Sequence, residues 1–594
     1  MMRSISIGII AAALFLSGCA RKEKTTSSST PASDGGTMTP TSLLLVTLDT
    51  FRGDFWGAGG DPVSRTPHLD RIARRGMQFE QGLSSCPLTL PSHATMHTGL
   101  EPPEHGIRDN GIYRLREDVP TVATRLSERG FRNAAFISGF PLVARFGLTR
   151  GFEIYDDHLG GGGENPFIVA YRSGAEVEAH AERWIDSLPG NARWFGWTHF
   201  FDAHEPCEAS PALIHASGND TYRADIALAD RYVGRLVQHV QAMDKPPWIV
   251  IVGDHGESRG AYGETTHGIF VYDVTLRVPA MMWPAPGGHA SGISRSTLRT
   301  IDVASTIFDL LAIKDGAPGK GTSALVNAPR PSYFESRFAH LHFGWAPLRG
   351  AREGRWKFID APEPELFDLE SDSGEKVNVA SANPDIVRDL QAKSRTMIST
   401  DTEAPRVDLD AESKEALESL GYTSSMKEPA TTENLPDPKR MIAILPLLDR
   451  AHGFLAAGRW QEALGPLRAA VARDPANKEI HQMLGTTFAR LGRHPEAINS
   501  YLKCLDLPPH ENDRIYRFEL AVSYLEMGRM EEAIPHLEKI LDEDPKDPVT
   551  WYNLGVARDR RGNPEGARRA WEMALKADST YMLARQALGQ VDRQ

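Results

Sequence analysis

The feature that most constrains the fold of this sequence is a repeat in residues 441–594. A glycine recurs there at intervals of 34, 36 and 34 residues, and an alanine follows each glycine five positions later. The pairs are Gly458 and Ala463, Gly492 and Ala497, Gly528 and Ala533, and Gly562 and Ala567. The glycine lets the chain turn tightly after one helix, and the small alanine lets the next helix pack closely. The spacing therefore predicts stacked helical hairpins that form an all-α solenoid.

This period and pattern resemble those of tetratricopeptide repeats. The resemblance implies a concave groove that binds a peptide or another protein. Bracing of the preceding domain and self-association are the alternatives. The longer interval contains the run PPHEND, which predicts a loop insertion between two repeats.

The first 41 residues predict export and attachment to a membrane. Residues 1–18 carry one arginine and then a mainly apolar run, which is typical of a signal peptide and too short to span a membrane as a mature helix. The run ends in Leu16, Ser17, Gly18 and Cys19, which resembles a bacterial lipobox and implies lipidation of Cys19. Residues 19–41 read as a flexible tether. We therefore expect a lipid-anchored protein of the bacterial cell envelope, periplasmic or surface-facing, and Ala20 favours the outer membrane by analogy with known lipoproteins.

Residues 42–400 alternate between apolar runs and helical patterns. The run LLLVTL at 43–48 reads as a central parallel strand that is buried on both faces. Further apolar runs lie at 134–138, 195–201 and 248–252, and helical patterns lie at 67–75 and 119–129. This order predicts an α/β doubly wound fold, in which ligands bind beyond the carboxyl ends of the strands.

Side chains suited to metal binding lie at the ends of three apolar runs. They are Asp49 after the first run, His199, Asp202 and His204 around the end of the run at 195–201, and Asp254 and His255 after the run at 248–252. A single carboxylate in such a position often caps a helix or forms a turn. Two carboxylates and several imidazoles at converging strand ends predict a divalent metal site instead.

Residues 86–99 supply a candidate nucleophile. Pro91 near the start and Gly99 at the end predict a helix whose positive end lies beside Thr89. A hydroxyl there suits attack on an anionic ester, because backbone amides face the negative charge that develops. The alternative is an ordinary turn of Pro, Ser and Thr before a helix.

Several segments resemble the sulfatase family of the alkaline phosphatase superfamily. They are the frame of Thr89, Pro91, Ser92, Thr98 and Gly99, and the stretches LVTLDTFRGD, RTPHLDRIARRG, EHGIRDNG and GDHGE. The resemblance implies a doubly wound mixed sheet of the alkaline phosphatase and sulfatase type. It also implies one metal ion bound by Asp49, Thr89, Asp254 and His255, and substrate contacts from His93, His204 and His267.

Three positions depart from the family pattern. Thr89 stands where sulfatases carry the Cys or Ser that becomes formylglycine, His93 stands in place of an Arg, and Thr50 stands in place of a second Asp. A threonine nucleophile resembles the phosphodiesterase and phosphoglycerol or phosphoethanolamine transferase branches, so we expect formylglycine-independent chemistry. Mixed oxygen and nitrogen ligands favour Zn or Mn over Ca, with Mg left open. A second metal held by His267, Asp202 and His204 is an alternative arrangement.

Together these features predict a metal-dependent hydrolase of sulfate or phosphate esters. Thr89 is expected to attack the ester and form a covalent intermediate, while His199 or His204 protonates the leaving group. The alternatives are a transferase that passes the intermediate to an acceptor alcohol, and a binding protein without turnover. The choice among sulfate, phosphate and phosphonate esters stays open.

Composition limits the partners and the domain boundaries. A net charge of -12 argues against a nucleic-acid surface, although a bound metal still admits a small anionic ester. Of the four cysteines, Cys86 and Cys207 could pair in an oxidising compartment, which the sequence does not decide. Residues 401–440 lose apolar periodicity, which predicts a linker between a catalytic domain at 42–400 and a repeat domain at 441–594.

Overall fold

The computed structural model describes residues 41–159, 170–206, 208–285, 291–326, 329–410, 413–414, 416–417, 434–507 and 513–591. The predicted signal peptide, the lipidation site Cys19, nearly all of the tether and Cys207 lie outside these ranges. Most of the predicted loop insertion, at 508–512, also lies outside them. None of the described helices is both long enough and apolar enough to cross a membrane.

A mixed sheet forms the centre of the first half of the chain. Its strands are β1 (Leu43–Leu48), β2 (Met77–Leu83), β3 (Arg132–Phe136), β4 (Ile154–Asp156), β5 (Trp194–Phe200), β6 (Trp248–Gly253), β7 (Arg277–Val278), β8 (Ala280–Trp283) and β9 (Gly292–Arg299). Their order is β4, β3, β5, β1, β6, β8, β2, β7, with β9 pairing with β2. Strand β1 lies between two parallel neighbours, β5 and β6, as expected of a central buried strand.

Helices cover both faces of this sheet, because alternate residues of each strand point to opposite sides. The helices of this part are α1 (Pro67–Arg75), α2 (Thr89–Thr98), α3 (Pro102–His105), α4 (Val122–Ser127), α5 (Gly174–Asp186), α6 (Pro211–Ala216), α7 (Thr221–Gln241), α8 (Asp273–Leu276) and α9 (Val303–Leu310). Leu43 and Leu45 pack in one core with α2, α4 and α9. Leu44 and Val46 pack in the other core with α1, α5 and α7. The doubly wound α/β prediction is confirmed.

A smaller antiparallel sheet follows along the chain. It consists of β10 (Ser332–Ser336), β11 (Leu348–Glu353), β12 (Trp356–Asp360) and β13 (Glu365–Asp368), paired in chain order. Helix α10 (Phe338–Phe343) connects the first two strands, and α11 (Pro384–Thr396) covers one face through Leu390.

Residues 402–407 of the predicted linker pair with residues 103–114 through backbone hydrogen bonds. The Ala404 amide donates to the Gly106 carbonyl at 3.0 Å, and the Val407 amide donates to the Ile112 carbonyl at 2.8 Å. Ala404 is buried in the same core as α2. These pairings join positions about three hundred residues apart, so local periodicity could not reveal them.

The C-terminal part is all helical. Its helices are α12 (Pro438–Met441), α13 (Leu445–Ala456), α14 (Trp460–Arg473), α15 (Lys478–Arg490), α16 (His494–Asp506), α17 (Asp513–Glu526), α18 (Met530–Glu543), α19 (Pro548–Arg560), α20 (Pro564–Ala577) and α21 (Met582–Val591). The glycines of the sequence repeat lie between paired helices with φ of 68, 70, 71 and 81°, in the left-handed region that favours glycine. The alanines that follow them are fully buried. The predicted repeat of helical hairpins is confirmed.

Candidate metal centre

Helix α2 presents Thr89 at its first position. The helix ends at Gly99, whose φ of 62° is left-handed, and all ten of its residues are buried. The Leu90 amide donates to Asn110 Oδ1 at 2.8 Å, and Ser92 Oγ donates to the Asp254 carbonyl at 2.8 Å. The predicted helix is therefore present, and its N-terminus is tied to the end of β6.

Two carboxylates meet at the edge of the sheet because their strands are neighbours. Strands β1 and β6 are parallel with Leu48 opposite Gly253, so the next residues, Asp49 and Asp254, lie side by side. Asp254 Oδ1 accepts the backbone amides of Thr50 at 3.2 Å and of His255 at 2.6 Å. Asp49 Oδ1 and Asp254 Oδ2 are buried and have no hydrogen-bond partner among the described residues.

His255 adds a ring nitrogen to these two carboxylate oxygens. Its Nδ1 lies 3.0 Å from the Gly256 carbonyl, so Nδ1 carries the proton and Nε2 keeps its lone pair. Nε2 lies 3.9 Å from Asp49 Oδ1, 3.6 Å from Asp254 Oδ2 and 3.3 Å from Thr89 Oγ1. Three lone pairs converge in a buried space, and a cation satisfies all three. The donor set therefore fits a divalent metal ion.

The pKa values show the electrostatic cost of this arrangement. Burial, together with the neighbouring Asp49 charge, raises the pKa of Asp254 well above its ordinary value. Burial also acts to raise the pKa of Asp49, but the hydrogen bond from His199 and the imidazole of His255 outweigh it and lower that pKa. Burial and the nearby His267 lower the pKa of His255 to about 3, which keeps its ring neutral. Two adjacent buried carboxylates cannot both ionise without a compensating charge.

His199 and His93 lie on the inner side of the cluster. His199 Nε2 donates to Asp49 Oδ2 at 3.1 Å, which orients that carboxylate. His93 Nδ1 lies 2.8 Å from the Thr89 carbonyl and its Nε2 lies 2.9 Å from Thr47 Oγ1. Both ring nitrogens of His93 are thus engaged, and burial keeps its pKa well below the ordinary value. The substrate contact of His93 stays a prediction, and these bonds favour a role in anchoring helix α2.

His204 and His267 lie on the outer side, where each is 6% exposed. His204 Nδ1 lies 2.6 Å from the Glu205 carbonyl, and its Nε2 has no partner among the described residues. His267 Nδ1 lies 3.0 Å from Glu257 Oε2, and its ring centre lies 4.4 Å from that of His255. These two imidazoles are the candidate groups that a substrate meets first.

The residues of the alternative second metal site, His267, Asp202 and His204, do not form a cluster like that of Asp49, Asp254 and His255. Asp202 Oδ1 accepts the Gly174 amide at 3.0 Å, at the start of α5. Among the described residues, the groups with three or more ligand atoms within 4.8 Å of one another are His93, His199 and Asp254, and Asp49, Asp254 and His255. The geometry favours one metal at Asp49, Asp254 and His255.

Two supporting residues were not singled out from the sequence. Glu257 holds His267, and burial raises the pKa of Glu257 to about 8. Asn110 accepts the first free amide of α2. Both lie inside segments that carry the family resemblance, GDHGE and EHGIRDNG, so the signal was present without an assigned role.

Comparison with known proteins identifies relatives of both parts. The Sulfatase family model matches residues 41–313, and tetratricopeptide repeat models match residues 448–512 and 524–590. The Delta 4,5-hexuronate-2-O-sulfatase of Bacteroides thetaiotaomicron is 24% identical over 406 residues, which are 57% of this chain and 84% of the relative. Choline-sulfatase of Rhizobium meliloti is 24% identical over 428 residues, 58% of this chain and 82% of the relative.

A solved structure with the same fold is the phosphonate monoester hydrolase of Agrobacterium radiobacter. Its TM-score is 0.50 at 19% sequence identity, and the match covers 60% of this chain and 95% of that one. This likeness shows the fold of the α/β part.

Proposed function

Because this chain carries a sulfatase-family domain followed by tetratricopeptide repeats, we propose that it is a metal-dependent hydrolase of sulfate or phosphate esters with Thr89 as nucleophile. The observation that carries the proposal is the position of Thr89 Oγ1, 3.3 Å from the His255 nitrogen that faces both unpaired carboxylate oxygens.

Asp49, Asp254, His255 and Thr89 are the residues that would hold the metal ion. A divalent ion bound there would lower the pKa of the Thr89 hydroxyl and stabilise negative charge on the ester oxygens. Zn or Mn suits this mixed donor set better than Ca or Mg. His199 keeps Asp49 in place through its hydrogen bond to Oδ2.

The remaining chemistry belongs to side chains of the chain itself. Thr89 Oγ gives up its proton to solvent and forms a bond to phosphorus or sulfur while the bond to the leaving oxygen breaks. His199 or His204 supplies the proton that the leaving oxygen takes. Water then hydrolyses the threonine ester and restores the hydroxyl.

The methyl group of Thr89 bears on the type of mechanism. Formylglycine is an aldehyde and requires a side chain with a CH2 group at Cβ, which cysteine and serine have and threonine lacks. The hydroxyl itself is therefore the proposed nucleophile, and we expect phosphodiesters to react faster than sulfate esters.

Substitutions at Thr89 test the proposal. In Thr89→Val the shape is kept and the hydroxyl is lost, so we expect kcat to fall by about a thousandfold or more, whereas Thr89→Ser should retain activity within about tenfold. The assays use metal-loaded protein with aryl phosphodiesters, aryl phosphonates and aryl sulfates. Wild-type turnover in Thr89→Val would remove Thr89 from the mechanism, and no turnover of any ester by the wild type would refute the hydrolase.

We also propose a type of partner for the solenoid and a cellular location for the protein. The solenoid would bind a protein or peptide in its groove, and acylation of Cys19 would anchor the protein in the cell envelope. Labelling with a radioactive fatty acid should mark the wild type and leave Cys19→Ala unmarked; equal labelling would refute the anchor.

A further inference from the structure

The repeat region begins against the loop that carries half of the candidate metal centre. The active-site loop, residues 254–272, runs from the end of β6 to α8 and includes Asp254, His255, Glu257 and His267. The repeat base, residues 436–444, precedes helix α13. The two segments are joined by apolar and by polar contacts.

The apolar contact is made by Ile442. A Cβ atom placed on Gly263 of the active-site loop would lie 3.3 Å from Cγ2 of Ile442, so the two residues touch. Ile442 and Ile444 are buried in one core with Ile269 and Phe270 of the loop. The repeat base thereby packs against the loop.

The polar contact runs through a carboxylate on β13. Lys439 Nζ lies 3.3 Å from Glu365 Oε2 and 2.7 Å from the Glu363 carbonyl. Tyr272 at the end of the loop donates its hydroxyl to Glu365 at 3.0 Å. Glu365 is therefore shared between the repeat base and the loop.

Inside the loop the contacts continue to the metal centre. Glu264 accepts the Ile269 amide at 2.6 Å and the Ser258 hydroxyl at 2.9 Å, which closes the loop on itself. Glu257 then holds His267 at 3.0 Å, beside His255. A shift of residues 269–272 would reach His267 through this closed unit.

We propose that Lys439 and Ile442 are positioning residues for the esterase site, acting through the active-site loop on His267. The first segment of the repeat region is then a structural part of the enzyme as well as the start of an interaction module. The expected change in kcat rests on the proposed hydrolase function. The expected change in the loop rests on the contacts alone.

The test compares neighbouring substitutions in the full-length, metal-loaded protein. Lys439→Met removes the charge that faces Glu365, and Ile442→Ala removes the contact with Gly263. Arg440→Met is the matched control, because it deletes the same charge from a side chain that is 74% exposed and pairs with Glu363 instead of Glu365. We expect kcat to fall about tenfold in the first two variants with KM changed less than about twofold, and Arg440→Met to match the wild type.

Hydrogen exchange provides a readout that does not need activity. Backbone amides of residues 262–272 should exchange faster in Lys439→Met and Ile442→Ala than in the wild type. In Lys439→Arg, which keeps the charge, the exchange rates and kcat should match those of the wild type. If Lys439→Met fails to fold, Glu365→Gln tests the contact between Lys439 and Glu365 from its other side. Unchanged exchange and kcat, or an equal loss in Arg440→Met, would overturn the inference. If the wild type hydrolyses no ester, the proposed function is wrong. The exchange comparison then still tests the contact between the repeat base and the active-site loop.

Discussion

At the scale of single residues, one hydrogen bond decides which His255 nitrogen is available to a cation. Because Nδ1 donates to the Gly256 carbonyl, Nε2 is left facing the two carboxylates and Thr89. His93 shows the opposite case, since both of its nitrogens already have partners. Two histidines near one site therefore have different roles because their hydrogen-bond partners differ, although their side chains are the same.

Glu101 is a buried carboxyl group on which the effect of burial on a pKa can be tested. Its backbone carbonyl accepts the Glu104 amide at 2.8 Å at the start of α3, while its Oε2 has no partner among the described residues. Burial raises the pKa of Glu101 from 4.5 to about 8. The folded state therefore binds the proton more tightly, so this contribution to stability is complete below pH 4.5 and is lost as the pH rises towards 8.

Glu101→Gln should remove this pH dependence, because the amide keeps one acceptor and carries no charge. We expect the free energy of unfolding of the variant, relative to the wild type, to rise by about 2–4 kcal/mol between pH 5 and pH 8. Urea unfolding of both proteins at the two pH values measures it. A difference that does not change with pH would contradict the assignment.

At the scale of elements, the repeat helices depend on small residues where helices approach. Gly485 of α15 faces the buried ring of Tyr501 on α16, and a Cβ at Gly485 would lie 2.6 Å from a ring carbon. Gly453 of α13 is exposed, and apart from its chain neighbours and the backbone of its own helix no atom lies within 4 Å of such a Cβ. The two glycines therefore differ in what an added methyl group would meet.

Alanine at each position should change stability in opposite directions. Gly485→Ala should lower the free energy of unfolding by about 1–3 kcal/mol through overpacking. Gly453→Ala should raise it by about 0.5–1 kcal/mol, because alanine favours the helix. Far-ultraviolet circular dichroism during urea titration measures both changes. Equal stabilisation by the two substitutions would refute the contact with Tyr501.

At the scale of the whole molecule, a metal ion should stabilise the folded chain. The ligand atoms come from β1, β6 and α2, which meet only after folding, so the ion binds the folded state selectively. Removal of metal by a chelator should lower the melting temperature. Free metal at 100 times its dissociation constant should return about 2.7 kcal/mol of stability.

Asp254→Asn is the control for this effect. It removes one of the facing carboxylates, so the metal-free variant should melt above the metal-free wild type and gain little from added metal. Thermal unfolding with Zn, Mn, Ca and Mg in turn measures the shift. No shift of the wild type with any of the four ions would contradict the metal centre.

Local patterns in the sequence carried much of the architecture. The apolar run before Asp49 predicted β1, Pro91 and Gly99 predicted α2, and the glycine and alanine spacing predicted the repeats. Each of these signals spans only a few dozen residues and reflects side-chain periodicity or backbone preference. The candidate ligands Asp49, Thr89, Asp254 and His255 were likewise readable from their places at the ends of strands and the start of a helix.

The amino-acid sequence by itself determined the order of elements, the repeat period and the residue types of the candidate site. Only the tertiary structure decided that β6 lies beside β1, that two carboxylate oxygens have no partner among the described residues, and that Ile442 lies next to Gly263. These facts depend on pairs of residues about 180 to 205 positions apart. No local periodicity encodes such pairs, because they form only when the whole core closes.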